Sequence, residues 1–517
     1  MRVLVFHGYL LRGTGSNVYN ANVAQALKRL GHEVHLLCQD ADAAELDWVD
    51  AVGDWETGAL RIERLRPAEG PDSVTVYRPE IGGLLPVYVA DRYQGFEVKT
   101  FPELSDEELA RYLDANIAAV RDVVETAGQP EAVLANHLIM GPVILARAGL
   151  RYALKVHGSD LSYTVRPHPE RFVPYAREAI DAANGVLVGS AHTAADLFAT
   201  VPDPELPART RLGPPGVDVD RFRPRSPERA LEALERLAVR LDAEGGRPAS
   251  EGPGDSFARE GASAASALRR WSQGSPRVLF VGKLLVNKGV DLLAAAWPLI
   301  HRRHPGAGLL FVGFGAYLPG LEALVDALGR GDLGAARKVV ARGRAYEGEA
   351  EAPPPILTAF LESPPEGYAE AAEAAAGSIQ IAGRLEHDEV AEVMPAADAF
   401  VMPSTFPESF GMVPAEAAAS GVPPVSADHS GMREVSLELA KAVGPELAPL
   451  LSFSAGPGAV SEIAERVNGW LELDAGRRQS VGMRLAARVD ELWSWEGVAR
   501  GILAASAGEL DGLPRVP

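Results

Sequence analysis

Apolar positions along this chain switch between helical and extended periods in a regular order. Val3–Phe6 is a short apolar run, and Gly8–Ser16 after it is glycine-rich and polar. Across Asn17–Leu30, Tyr19, Val23, Ala26, Leu27 and Leu30 recur at helical spacing, Gly31 suits the helix end, and Val34–Leu37 is apolar again. Strand, helix, strand is a βαβ unit. Strand candidates at Ala132–Ala135, Ala153–His157 and Val186–Gly189 extend it into a parallel sheet with covering helices. The pattern restarts at Arg277 with the strand RVLFVG, the helix VDLLAAAWPLIHRRHP and the strand GLLFVG. IQIAG and AFVMPS follow as strands, with AEAAASG helical after the second. The expectation is two doubly wound α/β domains, the first over 1–223 and the second over 224–491. Two stretches break the pattern and read as flexible excursions: about 245–261, rich in Gly, Pro, Ser and charge, and about 329–377, with its Pro-Pro-Pro and alanine-rich helix-like stretches.

Composition narrows the function more than the fold. A length of 517 residues favours two or three domains. A formal net charge of -20 argues against a nucleic-acid partner, whose phosphates need a basic face, and more weakly against anionic lipid. No apolar run approaches the ~18–20 residues of a membrane span. MRVLVFHGYLL has one basic residue and no small-residue cleavage site, so it reads as a first buried strand rather than a leader. Cys38 is the one cysteine, which excludes an internal disulfide or a multi-cysteine metal site. A cytoplasmic protein fits best, and its oligomeric state is open.

Chemistry concentrates at Pro407–Gly421, PESFGMVPAEAAASG, which follows a buried-type strand and opens a helix. Pro414 suits the first helical turn and Gly421 its end. The N–H groups at the start of that helix, after Ser409, can hold a diphosphate. Carboxylates at Glu408 and Glu416 would repel phosphate, so their natural targets are sugar and ribose hydroxyls. Read alone, either glutamate could simply favour the positive end of a helix dipole. The string gains meaning from VGKLLVNKGVDLL, where Lys283 and Lys288 occupy a strand-to-helix loop. Cations are disfavoured there, so two lysines suggest a bound anion, against the plainer reading of a solvated loop. Gly13 and Gly15, after the first strand, fit a loop approaching a diphosphate or an acceptor. RGTGSNV lacks the third glycine of the dinucleotide fingerprint, at Val18. His157 ends a strand before Gly158, Ser159 and Asp160, a position more often structural than catalytic; Asn136 and His137 end another strand and, with Asp160, could face an acceptor. Asp40-Ala41-Asp42 and Asp218-Val219-Asp220 read as structural or solvated, so no metal is expected.

Taken in order, these motifs resemble the family-4 retaining glycosyltransferases of GT-B fold over nearly the whole chain except the two excursions. The matching features are RGTGSN, HGSDL at His157–Leu161, GPPGVDVDRFRP at Gly213–Pro224, VGKLLVNKG, FVGFG, AGRLEHDEV, ESFGMVPAEAAASG and SWEGVA. In that family two glutamates form an E-x7-E motif, here Glu408 and Glu416. The resemblance implies that Glu408 contacts donor-sugar hydroxyls, Glu416 holds the ribose, and N–H groups around Phe410, Gly411 and Met412 face sugar and phosphates. It also implies that His157 lines the donor-sugar site and that Arg384 and Leu385 contact the nucleobase through their backbone. The two domains would face across a cleft, with 492–517 crossing back onto the first. The family usually has Arg then Lys at the phosphate pair, where this chain has Lys283 then Lys288, and HSGMREV replaces its usual Gly-Gly-x-Pro-Glu run. The expected activity is metal-independent, retaining transfer from a nucleotide-diphosphate sugar, UDP or GDP first, to a hydroxyl acceptor, with no further cofactor. The rival readings are a GT-B sugar-nucleotide epimerase or glycoside phosphorylase, and a non-catalytic sugar-nucleotide-binding protein; a dehydrogenase stands further off.

Overall fold

In the computed structural model, residues 1–12, 15–66, 72–88, 95–244, 246–247 and 259–517 are described. The chain forms two compact units, Met1–Gly216 with Trp493–Pro517, and Val217–Leu492.

The first unit is built on nine strands: β1 (Arg2–Phe6), β2 (Glu33–Leu37), β3 (Ala51–Glu56), β4 (Ala59–Arg64), β5 (Val74–Arg78), then, past a small parallel pair of β6 (Leu84–Val87) and β7 (Glu97–Thr100), β8 (Ala132–Asn136), β9 (Tyr152–Val156), β10 (Ala183–Val188) and β11 (Thr210–Leu212). Their order is β11-β10-β9-β8-β1-β2-β5-β3-β4, parallel except for the β3–β4 hairpin at one edge. Val3, Val5, Leu134 and Ala153 are completely buried or nearly so, as strands covered on both faces require. The helix Gly15–Arg29 lays Tyr19, Val23 and Leu27 on one face of this sheet. The helix Trp495–Ala507 joins it there: Trp495, Ala499, Ile502 and Ala505 belong to the same core, and Ser506 Oγ accepts from the N–H of Val133 at 2.8 Å. Gly216 has no side chain because a Cβ would sit 2.5 Å from the Trp495 indole.

The second unit carries a short antiparallel pair, β12 (Gly246–Arg247) with β13 (Arg259–Glu260), and a six-stranded parallel sheet. The sheet strands are β14 (Arg277–Val281), β15 (Gly308–Val312), β16 (Ile379–Gly383), β17 (Ala399–Met402), β18 (Pro424–Ala427) and β19 (Ser452–Phe453), in the order β16-β15-β14-β17-β18-β19. Crossing order at β14 and β17 makes their C-terminal ends the natural binding edge. Of the stretch 245–261, only the β12–β13 pair and Gly261 fall among the described residues. The stretch read as a second flexible excursion, 329–377, instead folds as the helices Leu333–Arg342, Pro355–Glu362 and Tyr368–Ala374. Leu357, Leu361 and Tyr368 are buried, and the Tyr368 hydroxyl donates to Ala295 O at 2.7 Å on the helix Val290–Arg303. The helix-like stretches expected inside 329–377 are helices, and each buries only a narrow stripe.

Candidate active site

In the second unit, three strand-end loops lock together by close backbone approach. The loop after β14 runs beside the loop after β15: Gly282 N–H donates to Val312 O at 3.0 Å and Leu284 N–H to Phe314 O at 2.8 Å. Gly313, at φ +149°, leaves no room for a side chain, since a Cβ would lie 1.8 Å from Gly282 O. A short 3-10 turn, Val286–Lys288, then ends at Gly289 in the left-handed region. There a Cβ would lie 2.0 Å from Pro403 O, so the lysine turn rests directly on the loop after β17. Thr405 N–H donates to Asn287 O at 2.9 Å, and Ser404 Oγ stands 3.2 Å from the same oxygen.

This contact brings two expected site residues together. Lys288 Nζ donates to Glu408 Oε1 in a close ion pair, and Ser404 Oγ donates to the same oxygen at 2.9 Å. Lys283 is exposed and forms no ion pair among the described residues. The backbone of Glu408 is clamped from the other side by His429-Ser430-Gly431. Glu408 N–H donates to Ser430 Oγ at 2.9 Å, and Gly431 N–H donates to Glu408 O at 2.9 Å. His429 Nε2 lies 2.9 Å from Ser404 O, a pure acceptor, so that nitrogen carries a hydrogen, and Nδ1 lies 3.1 Å from Ser430 Oγ. Gly431 is required as well: its Cβ would fall 2.5 Å from Phe410 Cα. The segment that departs from the family pattern is thus what fixes the Glu408 loop.

The helix Met412–Ala419 starts at Gly411 without a side-chain cap, so its first N–H groups are offered to whatever lies beyond them. Ser409, Phe410 and Met412 line this start and are half-buried. About one turn on, Glu416 is buried, and its Oε1 lies 2.8 Å from His387 Nε2. His387 opens the helix His387–Val393 just after Arg384 and Leu385, and its ring packs at 4.9 Å on Phe222. Arg384 pairs with Glu386 at 3.1 Å and stands over the Phe314 ring at 5.9 Å. Burial pushes the His387 imidazole down, but the charge and hydrogen bond of Glu416 outweigh it and the net shift is upward. A raised folded value means that the pair's contribution is complete below the ordinary 6.5 and is lost as pH climbs through the raised value. Chemical melts of wild type and His387→Gln should therefore show a stability gap that narrows from about pH 6.5 upward. A gap independent of pH would exclude the charged pair.

A further contact comes from the folded stretch 329–377. Glu347, only 7% exposed in its side chain, accepts the Val286 N–H at 2.8 Å and holds the first residue of the lysine turn. Burial pushes the neighbouring Asp291 up to about 7 against the pull of its backbone hydrogen bonds, and the charge of Glu347 adds to the rise. Glu347→Ala strands a buried N–H, a loss of about 1–3 kcal/mol. It should weaken nucleotide binding about tenfold in calorimetric titration, whereas Glu347→Gln, which keeps an acceptor, should stay within about twofold. Equal losses in both would mean that the charge rather than the hydrogen bond matters.

In the first unit, Gly13 lies outside the described residues, and Gly15 is exposed at the first turn of its helix. His157, the residue after β9, is half-buried, with Nε2 3.0 Å from Asn136 Oδ1 and its ring edge-on to Tyr19 at 5.0 Å. The expectation that Asn136 and Asp160 face an acceptor gives way to inward roles. Asn136 is 1% exposed and spends its amide on Phe6 O and Asn20. Asp160 accepts from the N–H groups of Leu138, Gly158 and Leu161, bracketing the turns after β8 and β9. His137 sits at φ +67°, buried against Tyr88 and His157; among the described residues neither ring nitrogen has a hydrogen-bond partner, and Nδ1 lies 4.0 Å from Asp160 Oδ2. Asp40 and Asp218 likewise hold backbone: Asp40 accepts from the N–H of Leu11 in the loop after β1 at 3.0 Å, and Asp218 accepts from Arg221 N–H in its own turn at 3.1 Å.

Two GT-B-type α/β units with this loop arrangement define the class, and the comparisons give the family. Residues 14–213 match the glycosyl transferase 4-like domain and residues 367–480 match glycosyl transferases group 1. The chain belongs to the family-4 type of glycosyltransferases. Glycogen synthase of Mycobacterium tuberculosis is 28% identical over 255 residues, 48% of this chain and 48% of the relative. The GDP-mannose-dependent alpha-(1-6)-phosphatidylinositol monomannoside mannosyltransferase of the same organism is 27% identical over 268 residues, 50% of this chain and 57% of the relative. The chain thus spans about half the length of the curated relatives it matches. Anabaena HepE in complex with UDP and glucose superposes with a TM-score of 0.54 at 15% identity, covering 99% of this chain and 100% of that one, a likeness of fold. Among the described residues no helix is long and apolar enough to cross a membrane.

Proposed function

We propose that the protein transfers a sugar from a nucleotide-diphosphate donor to a hydroxyl acceptor with retention of anomeric configuration and without a metal ion. The observation that carries this reading is the Lys288–Glu408 pair beside the uncapped start of the helix Met412–Ala419. A diphosphate needs positive charge and N–H donors, and this edge offers both, with Lys283 exposed nearby in sequence. Lys288 exchanges the carboxylate for phosphate, and Glu408 is then free to accept from a sugar hydroxyl. Buried Glu416, oriented by His387, suits ribose hydroxyls, while the backbone at Arg384 and Leu385 serves the base. Ser409, Phe410, Gly411 and Met412 face the sugar and phosphates. Lysine charge takes the place a divalent cation would fill on the leaving diphosphate. The retaining outcome is supported by the family resemblance: the departing phosphate takes the acceptor proton on the same face, and positioning supplies most of the rate. UDP and GDP are the first bases to try; the names of the mannosyltransferase relatives favour including GDP-mannose.

A thermal-shift panel of UDP-, GDP- and ADP-sugars, followed by an acceptor screen with the best donor, tests the reading. Stabilisation by one donor, an α-linked product from an α-linked donor and full rate in EDTA are expected. Release of epimerised donor with no glycosylated acceptor, an inverted product or EDTA inhibition would each remove the corresponding element.

A further inference from the structure

We infer that a one-directional chain of hydrogen bonds, from His157 through Asn136 and Asn20 to His7, fixes the tautomer of His157 and leaves its Nδ1 as an acceptor for a substrate hydroxyl. Only the word "substrate" rests on the proposed function; the tautomer stands on the first unit alone.

A backbone carbonyl can only accept, so it settles the orientation of each asparagine amide bonded to it. Asn17 Nδ2 donates to Arg12 O at 2.7 Å, Asn20 Nδ2 to Ser16 O at 2.8 Å, and Asn136 Nδ2 to Phe6 O at 3.2 Å. Each Oδ1 is therefore an acceptor. His157 Nε2 stands 3.0 Å from Asn136 Oδ1, so that nitrogen must carry the hydrogen. The second amide hydrogen of Asn136 goes to Asn20 Oδ1 at 2.6 Å, and the second of Asn20 goes to His7 Nδ1 at 3.0 Å, which must be bare. His7 closes the chain, its one Nε2 hydrogen shared between Leu10 O at 3.0 Å and Asn17 Oδ1 at 2.9 Å. Reversing any member would oppose two hydrogens or two lone pairs at its neighbours.

Both imidazoles are neutral at ordinary pH. Burial, then the charge of His137, lowers His7 to about 3 against its bonds to Asn17 and Leu10, and burial first of all holds His157 well below its ordinary value. Each ring thus carries one hydrogen, and in His157 the chain places it on Nε2. Nδ1 of His157 has no protein partner among the described residues. It can only accept, so a hydroxyl meeting it must donate. Asn136, Asn20 and His7 are positioning residues, one, two and three hydrogen bonds removed from His157.

The test is a long-range proton–nitrogen correlation spectrum of the full chain labelled with nitrogen-15 in its histidine rings, with His157 assigned by loss of its signals in His157→Gln. Wild type at pH 7.5 should show one His157 tautomer, protonated at Nε2. A proton on Nδ1, or a mixture, overturns the inference. Asn136→Leu removes the acceptor and should shift His157 to averaged signals of both tautomers; an unchanged spectrum would show that the chain does not hold the ring. Should that variant fail to fold, the wild-type spectrum still decides. With a donor in hand, one sugar position should lose at least tenfold in kcat/KM equally for its deoxy and deoxyfluoro forms, since fluorine cannot donate. Absence of any such position removes the substrate hydroxyl but leaves the tautomer. A chain that binds no nucleotide sugar defeats the proposed function and does not touch the spectrum.

Discussion

Glu408→Ala is expected to lower turnover by about 10²- to 10³-fold, the usual scale for removing a preorganised polar contact to a reacting sugar. The unfolding midpoint should move by only a few degrees. Two features make that separation sharp. The loop is held through its main chain, by Ser430 on Glu408 N–H and by Gly431 on Glu408 O, and both contacts survive loss of the side chain. The carboxylate's own partners, Lys288 and Ser404, are polar groups that are only partly withdrawn from water or can turn to neighbouring carbonyls. Initial rates at saturating donor and acceptor, alongside thermal melts, check this. Unchanged turnover would mean that the reacting sugar lies elsewhere, and a collapse in stability would assign Glu408 a purely structural task. Glu408→Gln separates the two duties further, since it keeps a hydroxyl acceptor but gives Lys288 no charge.

Gly289→Ala should destabilise the second unit by about 2–4 kcal/mol and abolish nucleotide-induced stabilisation. Two costs combine here. The residue holds φ +68°, disfavoured for any side chain by about 1–2 kcal/mol, and its Cβ would lie 2.0 Å from Pro403 O. The second cost cannot be relieved by a rotamer, because the obstacle is backbone. The lysine turn must lift from the loop after β17, taking Lys288 with it. Gly444→Ala supplies the control: its φ of +86° is equally unfavourable, but nothing lies within 4 Å of the new methyl. That variant should show the strain alone and keep its nucleotide response. If both variants lose the same stability and both still respond to nucleotide, the contact with Pro403 is not what seats Lys288.

The parts of the fold legible in the sequence are those with a local signature. Buried parallel strands such as Val3–Phe6 and RVLFVG show as unbroken apolar runs because both of their faces are covered, and Tyr19, Val23 and Leu27 declare a helix by their spacing. The β3–β4 hairpin escaped that reading: Ala59–Arg64 is almost wholly exposed, so no apolar period marks it. The site divides in the same way. Glu408, Glu416, Lys283 and Lys288 stand out because charges beside a strand end and a helix start ask for a ligand. His387, Glu347 and the His429–Gly431 clamp do not, since each acts on a partner 20 or more residues away, and nothing at their own positions announces it. Asn20 looks like an ordinary polar residue in a helix until His7 and Asn136 are seen on either side of it.

The ion pair between Lys288 and Glu408 also has a bearing on how the cycle ends. On the proposed reading, an intact donor compensates both members when it separates them, phosphate for the lysine and a sugar hydroxyl for the glutamate. Once the sugar has left, the spent nucleotide still attracts Lys288 but offers Glu408 nothing, and the carboxylate competes for the lysine again. The empty site is therefore a rival of its own product, and the discharged nucleotide should be the weaker ligand of the two.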